Sequence, residues 1–240
     1  MSYILAEELT KRYGTGASAV DAVAGVSFRI APGEFVSIMG ESGAGKSTLL
    51  GILGAMSAPS SGRLTVDGID VYGLRPEQQA DFRREYLGFV FQSFHLVPYL
   101  TVVENVMLPL TVTRRGRHEK REMALQALAQ VGLAEKAGRL PGDISGGEKE
   151  RAAVARAIVN SPPVLLADEP TGNLDSRNSR EVMRLFQRLN DSGMTILMVT
   201  HSAECAGYAR RVLQLADGRL ASDREQAAVE PPRAAAGGRG

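Results

Sequence analysis

Cysteine, excess charge of either sign and long apolar runs are all scarce in this sequence of 240 residues. Cys205 is the single cysteine, so an internal disulfide is excluded and a reducing compartment is favoured. The 28 lysines and arginines nearly balance the 27 aspartates and glutamates, which leaves a net charge of +1. Such a balance does not favour bulk attraction to nucleic acid or anionic lipid, and no nucleic-acid partner is expected.

The sequence also shows no apolar segment of the kind that directs a chain into a membrane. No run approaches the ~20 apolar residues that a membrane-spanning helix requires. The first eight residues lack the basic region followed by an apolar region that defines a signal peptide. We therefore expect any role at a membrane to depend on a partner protein.

A glycine-rich segment lies between an apolar strand pattern at 35–39 and a helix expected to open near Lys46. Residues 40–47 match G-x-x-x-x-G-K-[ST], in which N–H groups and a helix N-terminus bind phosphate. We expect Lys46 to reach the β- and γ-phosphates and Ser47 to hold Mg²⁺. The alternative, a chance glycine-rich turn, is disfavoured by the flanking strand and helix. The predicted nucleotide-binding residues here are Gly40, Glu41, Ser42, Gly43, Ala44, Gly45, Lys46, Ser47 and Thr48.

Two acids follow a second apolar strand pattern, which runs from Val164 to Ala167. Asp168 ends this strand, the position from which P-loop proteins deliver a carboxylate to Mg²⁺. Glu169 comes next, and a turn of the backbone at the strand end can aim it at an attacking water as a general base. The alternative is a solvated acidic turn before Pro170.

Strand and helix patterns alternate along the chain and predict an α/β fold with a parallel sheet. We expect a P-loop NTPase core with a β sub-domain on its N-terminal side and an inserted α-helical sub-domain at about 76–160. The expected strands are 2–9, 26–30, 35–39, 64–71, 164–167 and 195–200, and the expected helices include 117–131, one from 147, and 179–190. The segment 222–240 is rich in Ala, Gly, Pro, Arg and Glu and is predicted to be a disordered tail.

A Ser-Gly-Gly sequence opens a predicted helix about a hundred residues beyond Lys46, where a helix N-terminus can hold a second anion. By itself, Ser145 is better explained as a plain helix N-cap. Residues 144–148, Ile-Ser-Gly-Gly-Glu, resemble the L-S-G-G-Q signature of the ATP-binding cassette family. The resemblance implies a homodimer in which each ATP lies between the P-loop of one subunit and the signature of the other. The signature residues are Ser145, Gly146, Gly147 and Glu148.

Other motifs follow in the family's order, and the resemblance covers residues 2–221. It implies one nucleotide-binding domain over about 1–221, with ATP and Mg²⁺ as ligands. Tyr13 resembles the aromatic residue that stacks on adenine, although alone it is a surface tyrosine. Asp175, in Asn-Leu-Asp at 173–175, resembles the acid of a loop that crosses the dimer interface.

Two further residues take their roles from this resemblance. Gln92 follows a strand-like segment at 88–91 and resembles the glutamine that senses Mg²⁺ and water. His201 follows a predicted strand and resembles the histidine that hydrogen-bonds the γ-phosphate, although alone it is a polar strand cap. The predicted catalytic residues are Lys46, Gln92, Glu169 and His201, and the predicted metal ligands are Ser47, Gln92 and Asp168.

Within the family, residues 168–175 are most similar to the group that contains the lipoprotein-releasing ATPase LolD, the macrolide exporter MacB and the cell-division ATPase FtsE. This implies an ATPase on the cytoplasmic face of the inner membrane, held there by integral permease subunits of FtsX or MacB type. Transport is the first expectation, and an FtsE-like regulatory ATPase that moves no substrate is the alternative. Glu148 also occurs in LolD-like signatures, whereas Glu41 is unusual inside a P-loop.

The segment Phe94–Leu110 is too apolar for a simple loop. It is either core of the helical sub-domain or part of a groove for a helix of the membrane partner. Phe94, Leu96 and Tyr99 are the candidates for the groove.

Overall fold

Two β-sheets with helices packed on them make up the computed structural model, which describes residues 3–229. The strands in chain order are β1 (Ile4–Tyr13), β2 (Val20–Ile30), β3 (Phe35–Met39), β4 (Ser61–Val66), β5 (Ile69–Asp70), β6 (Leu87–Phe91), β7 (Val164–Asp168), β8 (Thr195–Val199), β9 (Arg211–Ala216) and β10 (Arg219–Glu225). The α-helices are α1 (Lys46–Leu53), α2 (Pro76–Tyr86), α3 (Val102–Met107), α4 (Arg117–Gln130), α5 (Gly146–Ile158), α6 (Ser176–Asp191) and α7 (Ala203–Ala206). The predicted α/β fold is confirmed.

The larger sheet has the order β10-β9-β3-β8-β7-β6, in which all strands except β10 run parallel. Strands β3, β7 and β8 are apolar and buried, as parallel strands covered on both faces should be. Their side chains alternate between two cores: Leu166 and Leu197 point to an inner core, and Leu165 and Ile196 to a helix-side core. The parallel register brings the carboxyl ends of β3, β8 and β7 to one edge.

A smaller antiparallel sheet, β2-β1-β4-β5, closes the inner core together with α1. Strands β1 and β2 extend well beyond the ranges 2–9 and 26–30 that the apolar pattern predicts. Most of the added residues, 10–13 and 20–25, are exposed or half-buried, and their pairing contains register shifts. Backbone pairing of this kind carries little apolar signal, which is why the pattern stops short.

Helices α3 to α6 cover the other face of the larger sheet through the helix-side core. The helices predicted at 117–131, from 147 and at 179–190 are confirmed as α4, α5 and α6 to within a few residues. Inside the range of about 76–160, however, β6 pairs with β7 as an edge of the larger sheet and so belongs to the core sheet. Within residues 3–229, no helix combines the length and apolar character needed to cross a membrane.

Strands β9 and β10, which the sequence pattern does not predict, complete the larger sheet. Strand β10 pairs with β9 as far as Glu225, and the N–H of Val229 then donates to the carbonyl of Gly207. The predicted disordered tail at 222–240 is therefore wrong for 222–229, where backbone hydrogen bonds order a segment of small and charged side chains. The remaining residues, 230–240, lie outside the described residues.

Glu150 is an acid on α5 that is completely buried. Among residues 3–229, neither oxygen of its carboxylate finds a hydrogen-bond partner. Burial raises the pKa of Glu150 to about 8, and the positive charge of Arg156 opposes part of that rise. Because an ionised carboxylate without donors is costly to bury, Glu150 carries a proton at neutral pH.

The buried acid makes stability depend on pH. The folded protein keeps Glu150 protonated to about pH 8, whereas the unfolded chain releases that proton near pH 4.5, so unfolding becomes easier as pH rises between these values. Glu150→Gln should remove this pH dependence. The free energy of unfolding of the variant, relative to that of the parent, should therefore rise by up to about 1.4 kcal/mol per pH unit over that window. Urea titrations at pH 5, 6, 7 and 8 measure it.

The matched control is Glu122→Gln on α4, where the acid is exposed. Its effect on unfolding should be small and should not change with pH. A gain for Glu150→Gln that stays constant from pH 5 to pH 8 would contradict the assignment of a proton to the buried acid.

Candidate nucleotide site

The P-loop, residues 40–47, leads from the end of β3 into α1 at the carboxyl edge of the larger sheet. Gly45 has a φ of +93°, and a Cβ there would collide with the carbonyl oxygen of Ala22 on β2. Glycine alone accepts both the backbone conformation and the close approach. The loop therefore closes tightly against the start of α1, the geometry in which backbone N–H groups and a helix N-terminus bind phosphate.

A cavity of about 340 Å³ lies over the P-loop. Its lining consists of Ala22, Ser42, Gly43, Gly45, Lys46, Ser47, Thr48, Glu169 and His201. The Nζ of Lys46 is drawn in by the carbonyl oxygens of Gly40 and Glu41, each 2.8 Å away. Glu41 is exposed and does not line the cavity, so this unusual acid contributes its carbonyl oxygen to the loop and keeps its carboxylate outside.

Ser47 and Asp168 meet below the cavity, with the Ser47 hydroxyl donating to the Asp168 carboxylate at 3.2 Å. Burial raises the pKa of Asp168, and the charge of Glu169 raises it further, while the Ser47 hydrogen bond and Lys46 oppose the rise. A hydroxyl beside a destabilised carboxylate fits Mg²⁺, which typically takes one or two protein oxygens and completes its shell with phosphate and water. Consistently, the described residues contain no group of three or more His, Cys, Asp and Glu that could hold a metal by themselves.

Glu169 and His201 face each other across the ends of β7 and β8. The Nδ1 of His201 lies 2.8 Å from Oε1 of Glu169, and the N–H of Glu169 donates to the carbonyl of Val199. Glu169 has a φ of +48°, uncommon for a residue with a Cβ, and Gly172 closes the turn by donating to the Glu169 carbonyl. This turn directs the Glu169 side chain into the P-loop cavity, as the position after the strand end predicts.

Gln92 lies beside the site without lining its cavity. It follows Phe91, which pairs in register with Asp168. The Gln92 side chain packs against Gly172, and the Gln92 carbonyl accepts a hydrogen bond of 2.8 Å from the Asn173 amide. Gln92 therefore lies one residue beyond the partner of Asp168 in the sheet. Its predicted contact with Mg²⁺ stays a prediction.

Tyr13 also lies near the cavity but outside its lining. It ends β1 opposite Val20, with half of its surface exposed and the Nζ of Lys11 5.4 Å from the ring centre. Ala22, two residues farther along β2, does line the cavity. No local motif marks Ala22, because only the tertiary approach of β2 to Gly45 places it at the cavity.

The signature residues begin α5 and do not line the P-loop cavity of their own subunit. Ser145 caps the helix by accepting from the Glu148 N–H at 3.3 Å, and the Glu148 carboxylate accepts from the Ser145 N–H at 2.8 Å. That backbone hydrogen bond lowers the pKa of Glu148, with further help from the Ser145 hydroxyl and Lys136. Glu148 thus completes a capping box, a structural role that both Glu and Gln can fill.

The start of α6 packs directly on the signature. A Cβ at Gly147 would collide with the side chain of Asn178. Asn178 is held by Asp175, which caps α6 and accepts from both the N–H and the amide of Asn178, and these bonds lower the pKa of Asp175. Asp175 therefore supports the signature within one subunit, and its predicted place at a dimer interface stays a prediction.

A larger cavity, about 580 Å³, lies beside β6 and is called the β6 groove here. Its lining consists of Met56, Arg83, Arg84, Leu87, Gly88, Phe89, Phe91, His95, Pro109, Val112, Arg156, Ala157 and Asn160. The groove candidates from the sequence lie elsewhere: Phe94 and Leu96 line a different cavity of about 380 Å³, and Tyr99 projects into solvent. Much of the apolar segment 94–110 is core, as Val102, Val103, Val106 and Leu110 are buried.

Comparison with known proteins agrees with this geometry. The family model described as ABC transporter matches residues 23–172. The lipoprotein-releasing system ATP-binding protein LolD of Geobacter metallireducens is 45% identical over 90% of this chain and 96% of its own length. The macrolide export ATP-binding/permease protein MacB of Syntrophobacter fumaroxidans is 46% identical over 91% of this chain. The chain spans only 31% of that relative's length.

Solved structures show the same similarity. The dimeric ATP-binding cassette MJ0796, in a post-hydrolysis state bound to ADP and Pi, matches with a TM-score of 0.84 and 40% identity. The match covers 92% of this chain and 98% of that one. CbiO1 from Clostridium perfringens, part of the ABC transporter complex CbiONQ, matches with a TM-score of 0.84 and 28% identity over 93% of this chain and 88% of that one.

The buried carboxylate of Asp168 should lower the free energy of unfolding when no cation is bound to it. Its raised pKa means that ionising Asp168 is less favourable in the folded protein than in the unfolded chain, so stability is lost as pH rises above 3.8, the ordinary pKa of this side chain. Asp168→Asn should therefore raise the melting temperature at pH 7 by a few degrees and have no such effect near pH 3. The same variant should lose the additional stabilisation that Mg²⁺ gives in the presence of ATP, as measured by calorimetry with and without each ligand.

Glu135→Gln, which neutralises an exposed acid, is the control and should leave both melting temperatures unchanged. If Asp168→Asn melts at or below the parent temperature at pH 7, the burial cost assigned to this carboxylate is wrong.

Proposed function

The chain belongs to the ABC transporter family of ATP-binding cassettes, and from that premise we propose that it hydrolyses ATP as a pair and thereby drives a membrane permease. The observation that carries the proposal is the P-loop cavity, into which Lys46, Ser47 and Glu169 all project. A phosphate-binding loop, a metal-binding pair and a general base meet there. We assign ATP and Mg²⁺ to this cavity.

Binding begins with the phosphates. The amides of the P-loop and the N-terminus of α1 hold the β- and γ-phosphates, and Lys46 exchanges the carbonyls of Gly40 and Glu41 for phosphate oxygens. Ser47 and Asp168 would hold Mg²⁺, and Gln92, which follows the residue paired with Asp168, is the third proposed ligand. The ion neutralises charge on the phosphates. Tyr13 stacks on the adenine from the adjacent β1–β2 ribbon.

Hydrolysis then requires a positioned water. Glu169 orients the water and takes its proton as the new oxygen–phosphorus bond forms, while the bond from the γ-phosphorus to the bridging oxygen breaks to release ADP and phosphate. His201, hydrogen-bonded to Glu169 through Nδ1, keeps that carboxylate in place and offers its other nitrogen to the γ-phosphate. The turn at Glu169 is therefore the catalytic element of the site.

Pairing accounts for the signature. Ser145, Gly146 and Gly147 form a helix N-terminus that lies outside the P-loop cavity of its own subunit, so the γ-phosphate it binds belongs to a second copy. Two subunits arranged head to tail then enclose two MgATP molecules. ATP favours the closed state because both halves of each site contact it only there.

The permease is an integral membrane protein of the kind with which LolD- and MacB-type ATPases work, and the β6 groove is its docking place. The chain then acts at the cytoplasmic face of the inner membrane, held by that contact. The match to LolD covers 96% of that relative's length, and MacB is by its name an ATP-binding and permease protein. The proposed cargo lies within the range of those two names, lipoproteins or macrolide-type compounds.

Replacing Glu169 with Gln should separate ATP binding from hydrolysis. The amide keeps the size of the side chain but cannot accept the proton, so the rate of hydrolysis should fall by roughly 100-fold or more. ATP binding should persist, and the variant should elute as a dimer with ATP bound. Steady-state phosphate release and size-exclusion chromatography with MgATP measure the two effects.

Glu135→Gln again serves as the control and should hydrolyse ATP at the parent rate. Turnover of Glu169→Gln at the parent rate would refute the role of Glu169, and a variant that binds ATP yet stays monomeric would refute the pairing.

A further inference from the structure

We propose that a pocket between α4, α5 and α6 binds a small phosphorylated solute, and that Arg184 and Arg188 hold its phosphate group. This pocket, called the arginine pocket here, has a volume of about 280 Å³. Its lining consists of Val131, Gly132, Arg151, Glu181, Arg184 and Arg188. None of these residues lines the P-loop cavity or the β6 groove, so the site goes beyond the proposed function.

The packing of α6 fixes where its arginines lie. One face of α6 is apolar and is buried in the helix-side core. Glu181, Arg184 and Arg188 follow one another at intervals of three and four residues, so they share another face of the helix. Arg151 of α5 and Gly132, which lies just beyond α4, complete the pocket with them. Apolar packing of α6 thus holds the positive charges at the place where three helices meet.

The negative charge in this pocket is already used by the protein. Glu181 is the one carboxylate in the lining, as far as the structure describes it. Its oxygens lie 3.0 Å from the guanidinium of Arg151 and 3.4 Å from that of Arg177. Within residues 3–229, no ion pair involves Arg184 or Arg188. Two cations of the pocket therefore have no carboxylate of the described chain to balance them.

Arg184 carries the proposal, because part of its guanidinium is buried without an acceptor. Arg184 is half-buried, and its Nε is closed off from solvent. No group in the described part of the chain accepts a hydrogen bond from this Nε. A charged group that loses water without gaining a partner lowers stability, and an anion bound to the same guanidinium offsets that cost. The arginine pocket gives an anion its route to Arg184.

The charge of the lining favours a phosphate ester over a carboxylate. Three arginines and one glutamate leave two positive charges. A phosphate monoester carries a charge of about −1.5 to −2 at neutral pH, whereas a carboxylate group balances only one of the two. The planar fork of donors on each arginine also matches the oxygens of phosphate. The pocket is therefore suited to the phosphate of a monoester.

Size and polarity favour a soluble molecule over a lipid headgroup. Pockets for drug-sized ligands measure about 300–1,000 Å³, so the arginine pocket, at about 280 Å³, suits a phosphate with a small group attached. Val131 is the one apolar side chain in the described lining, and it is buried. The pocket offers no apolar surface to an acyl chain.

Binding is tested with glycerol 3-phosphate on the full chain, with the P-loop cavity filled by MgADP. Calorimetric melting at increasing probe concentration gives an apparent Kd, because a ligand that binds the folded state raises its melting temperature. We expect this Kd to rise by about tenfold or more in Arg184→Gln and in Arg188→Gln, since each change removes charge-assisted hydrogen bonds. Arg188 is exposed, so Arg188→Gln should fold as the parent does.

Two further variants and a second anion show whether the recognition is specific. Arg184→Lys keeps the charge but loses the fork, so its affinity should lie between those of the parent and Arg184→Gln. Arg117→Gln removes an exposed arginine of α4 outside the pocket and should leave the Kd unchanged. Succinate, whose two negative charges lie on separate groups, should bind the parent at least about tenfold more weakly than glycerol 3-phosphate.

The inference is overturned if glycerol 3-phosphate does not stabilise the parent, or if Arg184→Gln and Arg188→Gln bind it as tightly as the parent. Equal affinity for succinate would overturn the phosphate class. Flotation with phosphatidylcholine vesicles that contain phosphatidic acid tests the lipid source of the same chemistry. Vesicle binding that Arg184→Gln abolishes, without binding of glycerol 3-phosphate, would assign the pocket to a headgroup and overturn the soluble ligand. None of these measurements depends on ATP hydrolysis, so their outcome is independent of the proposed function.

Discussion

The parallel register of four buried strands is the constraint on which the rest of the molecule depends. Ile38, Val199, Asp168 and Phe91 lie in one row across β3, β8, β7 and β6. Each strand ends within a residue or two of this row, so the segments that follow emerge at the same edge of the sheet. The P-loop, His201, Glu169 and Gln92 are those four segments. Parallel strands covered on both faces expose little besides their ends, and the chemistry of the protein is therefore collected at this edge.

Electrostatics at this edge favours the bound state over the empty one. Burial and the neighbouring Glu169 raise the pKa of Asp168, and Glu169 itself is held in an uncommon backbone conformation. Lys46 turns inward to two carbonyl oxygens. A metal ion and phosphates compensate the charges of Asp168, Glu169 and Lys46 better than the protein alone does, since opposite charges at close range offset the cost of burial. Nucleotide binding therefore offsets the free-energy cost of burying these charged groups. Without nucleotide, apolar packing in the two cores offsets that cost.

Two features lie outside the P-loop cavity and carry the proposed contacts with other subunits. The signature is held by the Ser145–Glu148 capping box and by the contact of Gly147 with Asn178, so its helix N-terminus is preformed. The β6 groove is lined by residues of β6, among them Phe91, which pairs in register with Asp168. In the proposed function, a second copy completes the nucleotide site and a membrane protein covers the β6 groove, and β6 connects the two.

Short-range motifs were readable from the sequence because their chemistry is local. A run of neighbouring residues is enough to recognise the P-loop, the Asp168–Glu169 pair, the signature and the helices α4 to α6. The long ends of β1 and β2, the strands β9 and β10 and the order of residues 222–229 depend on backbone pairing between distant segments, which leaves no side-chain pattern. The places of Ala22 in the P-loop cavity and of Arg83 in the β6 groove also depend on contacts between distant segments. The apolar segment 94–110 does not indicate that groove, because most of it is core. The sequence by itself determined which chemical groups are available; the tertiary structure decided which of them meet, because only the sheet register and the packing of helices set distances between residues far apart in the chain.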